Sequence, residues 1–167
     1  MLIRVLRTPQ YSVELVERDD LDGVDLIVDP FTGVIFASLF SLPSQCEDLI
    51  NRISKLSWSY QRLIVILEGY TPTCANKAVD GTPEMLSAYT PPILKAIKKL
   101  RRGVGMAEAV EEKQGTTIVL YAFVNSVYEA ASITRYIGDL AEEVDVTNGT
   151  LWENRTWLHD EPNEVGP

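Results

Sequence analysis

The order of apolar and polar positions predicts short strands alternating with longer helices. Ser12 to Glu17 alternates Val13 and Leu15 with Glu14 and closes on the polar Glu17, the period of two expected of a half-buried strand. After the polar run Arg18–Gly23, Val24–Val28 and Val34–Phe40 predict two strands. Asp29-Pro-Phe-Thr-Gly33 joins them, with Pro30 and Gly33 as turn formers. From Gln45 to about Tyr60 the period lengthens: Cys46, Leu49, Ile50, Ile53, Leu56 and Tyr60 fall on one helical face. Ser44 with Glu47 three residues on has the form of a capping box, and Asp48 can pair with Arg52 across one turn. Leu2, Ile3, Val5 and Leu6 fit either a helix end or a strand.

Leu63–Leu67 is an unbroken apolar run, as in strands covered on both faces of a parallel sheet. Gly69 to Thr82 is rich in loop formers, and Thr82-Pro83 and Thr90-Pro91 each look like a cap with proline in the first turn. The helix after Thr90 sets Ile93, Leu94, Ile97 and Leu100 against Lys95, Lys98, Lys99, Arg101 and Arg102, with Gly103 as its stop. Gly105 to Gln114 suggests a further short helix. Thr116–Val124 predicts another buried strand, and Ser126 with Glu129 a second capping box opening a helix to about Glu143. Strand–helix alternation of this kind implies an α/β domain with a mostly parallel sheet flanked by helices. One domain over 1–144 and an acidic polar tail over 145–167 follow from the composition shift.

That tail changes the functional picture. From Asp139 onward eight acids face one base, Arg155, a charge of −7 that leaves −2 for residues 1–138 out of a net −9. Such a tail repels nucleic acid and disfavours tight DNA binding by the chain alone. No apolar run has the length of a membrane span, and Arg4 and Arg7 interrupt the first seven residues, which make a poor signal peptide. Cys46 and Cys74 form neither a disulfide framework nor a metal spacing, which suits a reducing compartment.

Candidate chemistry is sparse. The single histidine, His159, lies in the tail, and Gly103-Val-Gly105 lacks the spacing of a phosphate loop. Asp25, Asp29, Glu14, Glu17 and Glu68 fall on or at the ends of predicted strands, where carboxylates can hold a divalent ion. Solvated strand-end acids are far commoner, so the expectation is no cofactor and no metal.

These residues carry a resemblance. Val24-Asp-Leu-Ile-Val-Asp-Pro30, Thr32-Gly-Val-Ile-Phe-Ala-Ser38, the helix and Arg62-Leu-Ile-Val-Ile-Leu-Glu68 together resemble the nuclease domain of the XPF structure-specific endonuclease superfamily. That family keeps Gly-Asp-Tyr in the first hairpin strand and Val-Glu-Arg-Lys in the second, the acids binding the metal that activates water. Matched in order, Asp25 takes the place of the aspartate, while Ile35, Phe36 and Ala37 replace glutamate, arginine and lysine. The resemblance therefore implies a restriction-endonuclease-like fold with its catalytic positions degenerate, a pseudonuclease. Val13–Asp19, the hairpin and Tyr60–Leu67 are most similar to the fungal meiotic Zip-two / shortage-in-chiasmata proteins. That likeness implies a first strand position left unfilled upstream of residues 2–7, and a tail leading toward a helix-hairpin-helix region beyond Pro167.

Family members pair one nuclease-like domain with another. The resemblance thus implies a partner similar to the non-catalytic subunit of XPF-type heterodimers, Spo-sixteen in the meiotic family, and branched DNA bound only through the complex. Its setting would be the nucleus and meiotic chromosomes, and its role crossover formation. The partner-binding candidates are Val127, Ala130, Ala131, Ile133, Thr134, Ile137, Leu140 and Ala141, a wide apolar stripe on the last helix. Lys95, Lys98, Lys99, Arg101 and Arg102 are the DNA-binding candidates. The alternative is a diverged metal-dependent endonuclease using Asp25 and Glu68.

Overall fold

The structure, a computed structural model, describes residues 1–11, 13, 15–17, 21, 23–70, 88–110 and 117–144, with 108–110 and 142–144 described by backbone alone. Glu14, Cys74, Thr82-Pro83, His159 and the tail over 145–167 lie outside the described residues.

The hairpin is β1 (Leu26–Asp29) and β2 (Thr32–Ser38), antiparallel and joined by two residues. Asp29 makes the turn with its own side chain, Oδ1 accepting the Phe31 amide at 2.7 Å. Helix α2 (Leu42–Leu56) then returns the chain to β3 (Arg62–Glu68), which pairs parallel to β2. Helix α3 (Pro91–Val110) leads to β4 (Ile118–Val124), parallel to β3, and α4 (Val127–Val144) follows. A short α1 (Leu2–Leu6) opens the chain. The result is an α/β fold with a mixed four-stranded open sheet, order β1-β2-β3-β4, flanked by helices. Among the described residues no helix is long and apolar enough to cross a membrane.

Strands β2, β3 and β4 step in one direction, so crossovers of one hand place α2 and α3 on the same face. There Ile35, Leu63, Val65 and Leu67 meet Leu42, Leu49, Ile53 and Leu100 in the larger core cluster. On the opposite face Val34, Ile64, Ile66 and Val124 meet Ala130, Ile133 and Ile137 of α4. Leu6 of α1 and Tyr11 close over Ala131. Each fully buried branched side chain contributes roughly 1.5–3 kcal/mol by leaving water.

Four expectations are corrected. Ser44 does not cap α2: the helix starts one turn earlier at Ser41, and the Ser44 hydroxyl donates back to the Ser41 carbonyl at 2.9 Å. Pro43, which has no amide to leave unpaired, lets the helix begin that early. The described part of Ser12–Glu17 is not a strand, because Val13 and Leu15 pack on the α1–α4 cluster rather than on the sheet. Gly103 does not stop α3, which runs on to Val110 and takes in 105–110 of the short helix expected over Gly105–Gln114, the rest of which lies outside the described residues. A Cβ on Gly103 would come within 2.4 Å of Ile50 Cδ1, so the glycine is there to let α3 approach α2. Lastly, among the described residues β4 is an edge strand with Ile118, Leu120 and Phe123 exposed, not a buried one. The second capping box does form, shifted by one donor: Ser126 Oγ accepts the Glu129 amide at 3.1 Å, while Glu129 accepts the Asn125 amide at 2.7 Å.

Candidate functional site

Asp25 sits where β1 begins, with its amide donating to the Val34 carbonyl at 2.9 Å. Its two carboxylate oxygens have separate partners. Oδ2 accepts the Phe36 amide at 2.8 Å, and Oδ1 accepts Arg52 Nη2 at 2.9 Å. Arg52 also donates Nε to the Gly23 carbonyl at 2.8 Å, so one guanidinium from α2 clasps both ends of the turn into β1. With both groups partly exposed the ion pair contributes only about 1 kcal/mol, and its effect is chiefly positional. Arg52 was expected to pair with Asp48; its bonds to Asp25 and Gly23 across 27 and 29 residues were not legible from spacing.

Alternation along β2 sorts the three replaced positions. Ile35 and Ala37 face α2, on the same side as the Asp25–Arg52 pair, and Ile35 is wholly buried in the larger cluster. Phe36 points to the other face and packs in the cluster beneath α4. Over this frame lies an open cleft of about 300 Å³, lined by Phe36–Ser38, Ser41, Leu42 and, on α2, Gln45, Asp48, Leu49 and Arg52. Its serines are committed locally: Ser38 Oγ accepts the Phe40 amide, and Ser41 Oγ donates to the Ser38 carbonyl.

Glu68 does not join Asp25. It ends β3, separated from β1 by the whole of β2, and it alternates with Ile64 and Ile66 onto the face opposite α2. There its Oε1 accepts the Tyr70 hydroxyl, and burial together with that carboxylate pushes the Tyr70 phenol far above its ordinary pKa. Asp29 pairs with Arg62 at 3.4 Å and Glu17 with Arg7 at 2.9 Å. Among the described residues no three His, Cys, Asp or Glu side chains come together as metal ligands would.

The stripe on α4 is largely its inner face. Val127, Ala130, Ala131 and Thr134 are buried within the fold, Ile133 and Ile137 are half-buried against the sheet, and Ala141 is half-buried. Only Leu140 of the eight is exposed, and Tyr128 and Tyr136, two aromatics outside that stripe, are exposed on the same helix. The five bases of α3 all reach solvent. Lys99 is engaged by Glu47 at 2.6 Å, a bond that holds its ammonium pKa above the usual value.

No protein-family model and no curated protein sequence matches the chain.

Proposed function

We propose that this chain is a non-catalytic XPF-like domain, restriction-endonuclease-like in fold, that works as a scaffold. It heterodimerises with a partner similar to the non-catalytic subunit of XPF-type heterodimers, and the pair recognises branched DNA in meiotic crossover formation. The observation that carries the non-catalytic reading is the state of the one acid the frame retains. Asp25 spends both oxygens on Arg52 and the Phe36 amide, and its neighbour Ile35 belongs to the core. A carboxylate serving Mg²⁺ needs a second acid and open coordination positions for water and substrate. Asp25 and Glu68, facing opposite sides of the sheet, do not favour the endonuclease alternative.

The outward part of α4 is the partner surface in this reading, with Tyr136 and Leu140 at 62% and 42% exposure as its anchors. Interface cores favour large aromatic and aliphatic side chains, and truncating an anchor costs about 2 kcal/mol or more. Ile137→Asp would strike the sheet-facing cluster and confound folding with binding. Leu140→Asp combined with Tyr136→Asp avoids that. The double variant is expected to keep its circular dichroism spectrum and to weaken partner binding by at least about 30-fold in co-expression and size-exclusion experiments. Unchanged binding would remove α4 from the interface.

The α3 bases form the DNA-facing surface of the complex. Replacing Lys95, Lys98, Arg101 and Arg102 with alanine is expected to lower affinity for branched DNA. The slope of log K against log salt should also fall, by roughly 0.9 for each phosphate no longer neutralised. Lys99, already held by Glu47, is left in place. An unchanged slope would leave these residues as a solvated helix face.

A further inference from the structure

Most of the basic face of α3 has no counter-charge beside it. Pro91–Ala107 contains five bases and no acid, and Lys95, Lys98, Lys99 and Arg102 follow the i, i+3, i+4, i+7 spacing of one helical face. All four are exposed, with Arg101 exposed at the margin. Glu47 of α2 reaches Lys99 at 2.6 Å, so the face already accepts a carboxylate at one position. Among the described residues no acid pairs with Lys95, Lys98, Arg101 or Arg102.

The same chain carries the complement. After α4, Asp145, Glu153, Asp160, Glu161 and Glu164 stand against Arg155 alone, and the last three acids fall close together. Helix α4, from which this segment continues, packs on the sheet face opposite α3. Helices about 10 Å across on either side of the sheet put the two axes roughly 20 Å apart. Sixteen residues lead from Val144 to Asp160, and at up to about 3.3 Å each they span roughly 53 Å, enough to pass round the sheet to α3. Tethering singles out the occupant. A segment linked within reach acts at roughly millimolar effective concentration, which a separate acidic partner at ordinary protein concentration does not match.

We propose that the segment Asp160–Glu164 docks on the basic face of α3 in the same chain, its carboxylates answering Lys95, Lys98 and Arg102 as Glu47 answers Lys99. Such a contact is a set of exposed ion pairs, so it exchanges readily and weakens with salt. Its consequence rests on the reading of α3 as a DNA-facing surface. The segment then competes with phosphates for the same bases, and DNA binding by the chain is held back until the segment is displaced.

Zero-length carbodiimide cross-linking of the full chain, read by mass spectrometry of its peptides, tests the docking without DNA. The reagent joins a lysine amine to a carboxylate only where the two meet. Lys95 and Lys98 are expected to join Asp160, Glu161 or Glu164 within one chain, at a yield unchanged by dilution. That yield should collapse in about 0.5 M salt, where the screening length is about 4 Å. The link between Lys99 and Glu47 reports that the fold is intact. Asp160→Asn, Glu161→Gln and Glu164→Gln together should keep that link and raise affinity for branched DNA by about tenfold at low salt, as a face occupied about nine-tenths of the time becomes available. Absence of the expected links while Lys99 and Glu47 still join overturns the proposal. So do links formed only between two chains, or links indifferent to salt. Links within the chain without a gain in DNA affinity would uphold the docking and remove the DNA role of α3 instead.

Discussion

Ile35→Glu unfolds the domain instead of restoring a metal ligand. Its position corresponds to the glutamate of the nuclease resemblance, but the side chain has no exposed surface and lies among Leu63, Val65 and the α2 residues. A glutamate there would lose the isoleucine's burial and bring in a charge without a partner. Truncation of such a residue alone costs about 2–5 kcal/mol, and an uncompensated buried charge about 3–5 kcal/mol. A domain of ordinary stability, about 5–15 kcal/mol, loses most or all of it. Denaturant titration of Ile35→Val and Ile35→Glu separates size from charge, with about 1 kcal/mol lost in the first case. Native-like stability in Ile35→Glu would mean that the position opens to solvent, and the core assignment would fall.

Gly103→Leu is expected to destabilise by about 2–3 kcal/mol, the cost of overpacking, although removing a glycine from a helix interior ordinarily gains about 1 kcal/mol. The reversal comes from Ile50, whose Cδ1 and Cγ1 lie 2.4 and 3.1 Å from where the new Cβ would be. Shortening Ile50 to alanine makes room. The double variant Gly103→Leu with Ile50→Ala should therefore be more stable than the sum of the two single losses predicts, by about 1 kcal/mol or more. Additive losses in denaturant titration would show that α2 and α3 do not meet closely at this point.

Much of the frame was legible from residue patterns, because local periodicity and burial agree there. The strands at Val24–Val28, Val34–Phe40 and Leu63–Leu67 and the cap at Ser126 all lie within about two residues of their expected places, while the helix expected from Gln45 to about Tyr60 runs about a turn earlier, over Leu42–Leu56. Leu63–Leu67, apolar throughout, is indeed the strand covered on both faces. The misplacements arise where neighbours distant in sequence decide. An apolar run does not reveal whether its strand lies inside or at the edge of a sheet, and Ile118–Val124 is as hydrophobic as β3. Ser44 offers the pattern of a cap, yet the helix can start sooner through Pro43. Gly103 does carry a local signal of its packing role: it continues the spacing of Ile93, Ala96, Leu100 and Val104, all buried, and so falls on the packed stripe of α3.

The candidate site was legible to a lesser degree. The residues at Asp25, Ile35, Phe36 and Ala37 and their order along the hairpin could be read directly, and alternation in β2 puts Ile35 and Ala37 on one face. That Arg52 would turn from Asp48 to clasp Asp25 and Gly23 depends on how α2 crosses the hairpin, which no local pattern encodes. The stripe on α4 was visible, but its use was not: an apolar face of that width serves the sheet beneath it first, and of its eight residues only Leu140 stays exposed.

In the reading proposed for this chain, the frame around Asp25 holds a shape and performs no hydrolysis. Incubation of the purified chain, alone and with its candidate partner, with branched DNA and Mn²⁺ tests this most directly, with Asp25→Asn run alongside. Neither protein is expected to show metal-dependent cleavage. Cleavage by the unaltered chain that Asp25→Asn abolishes would contradict the non-catalytic reading.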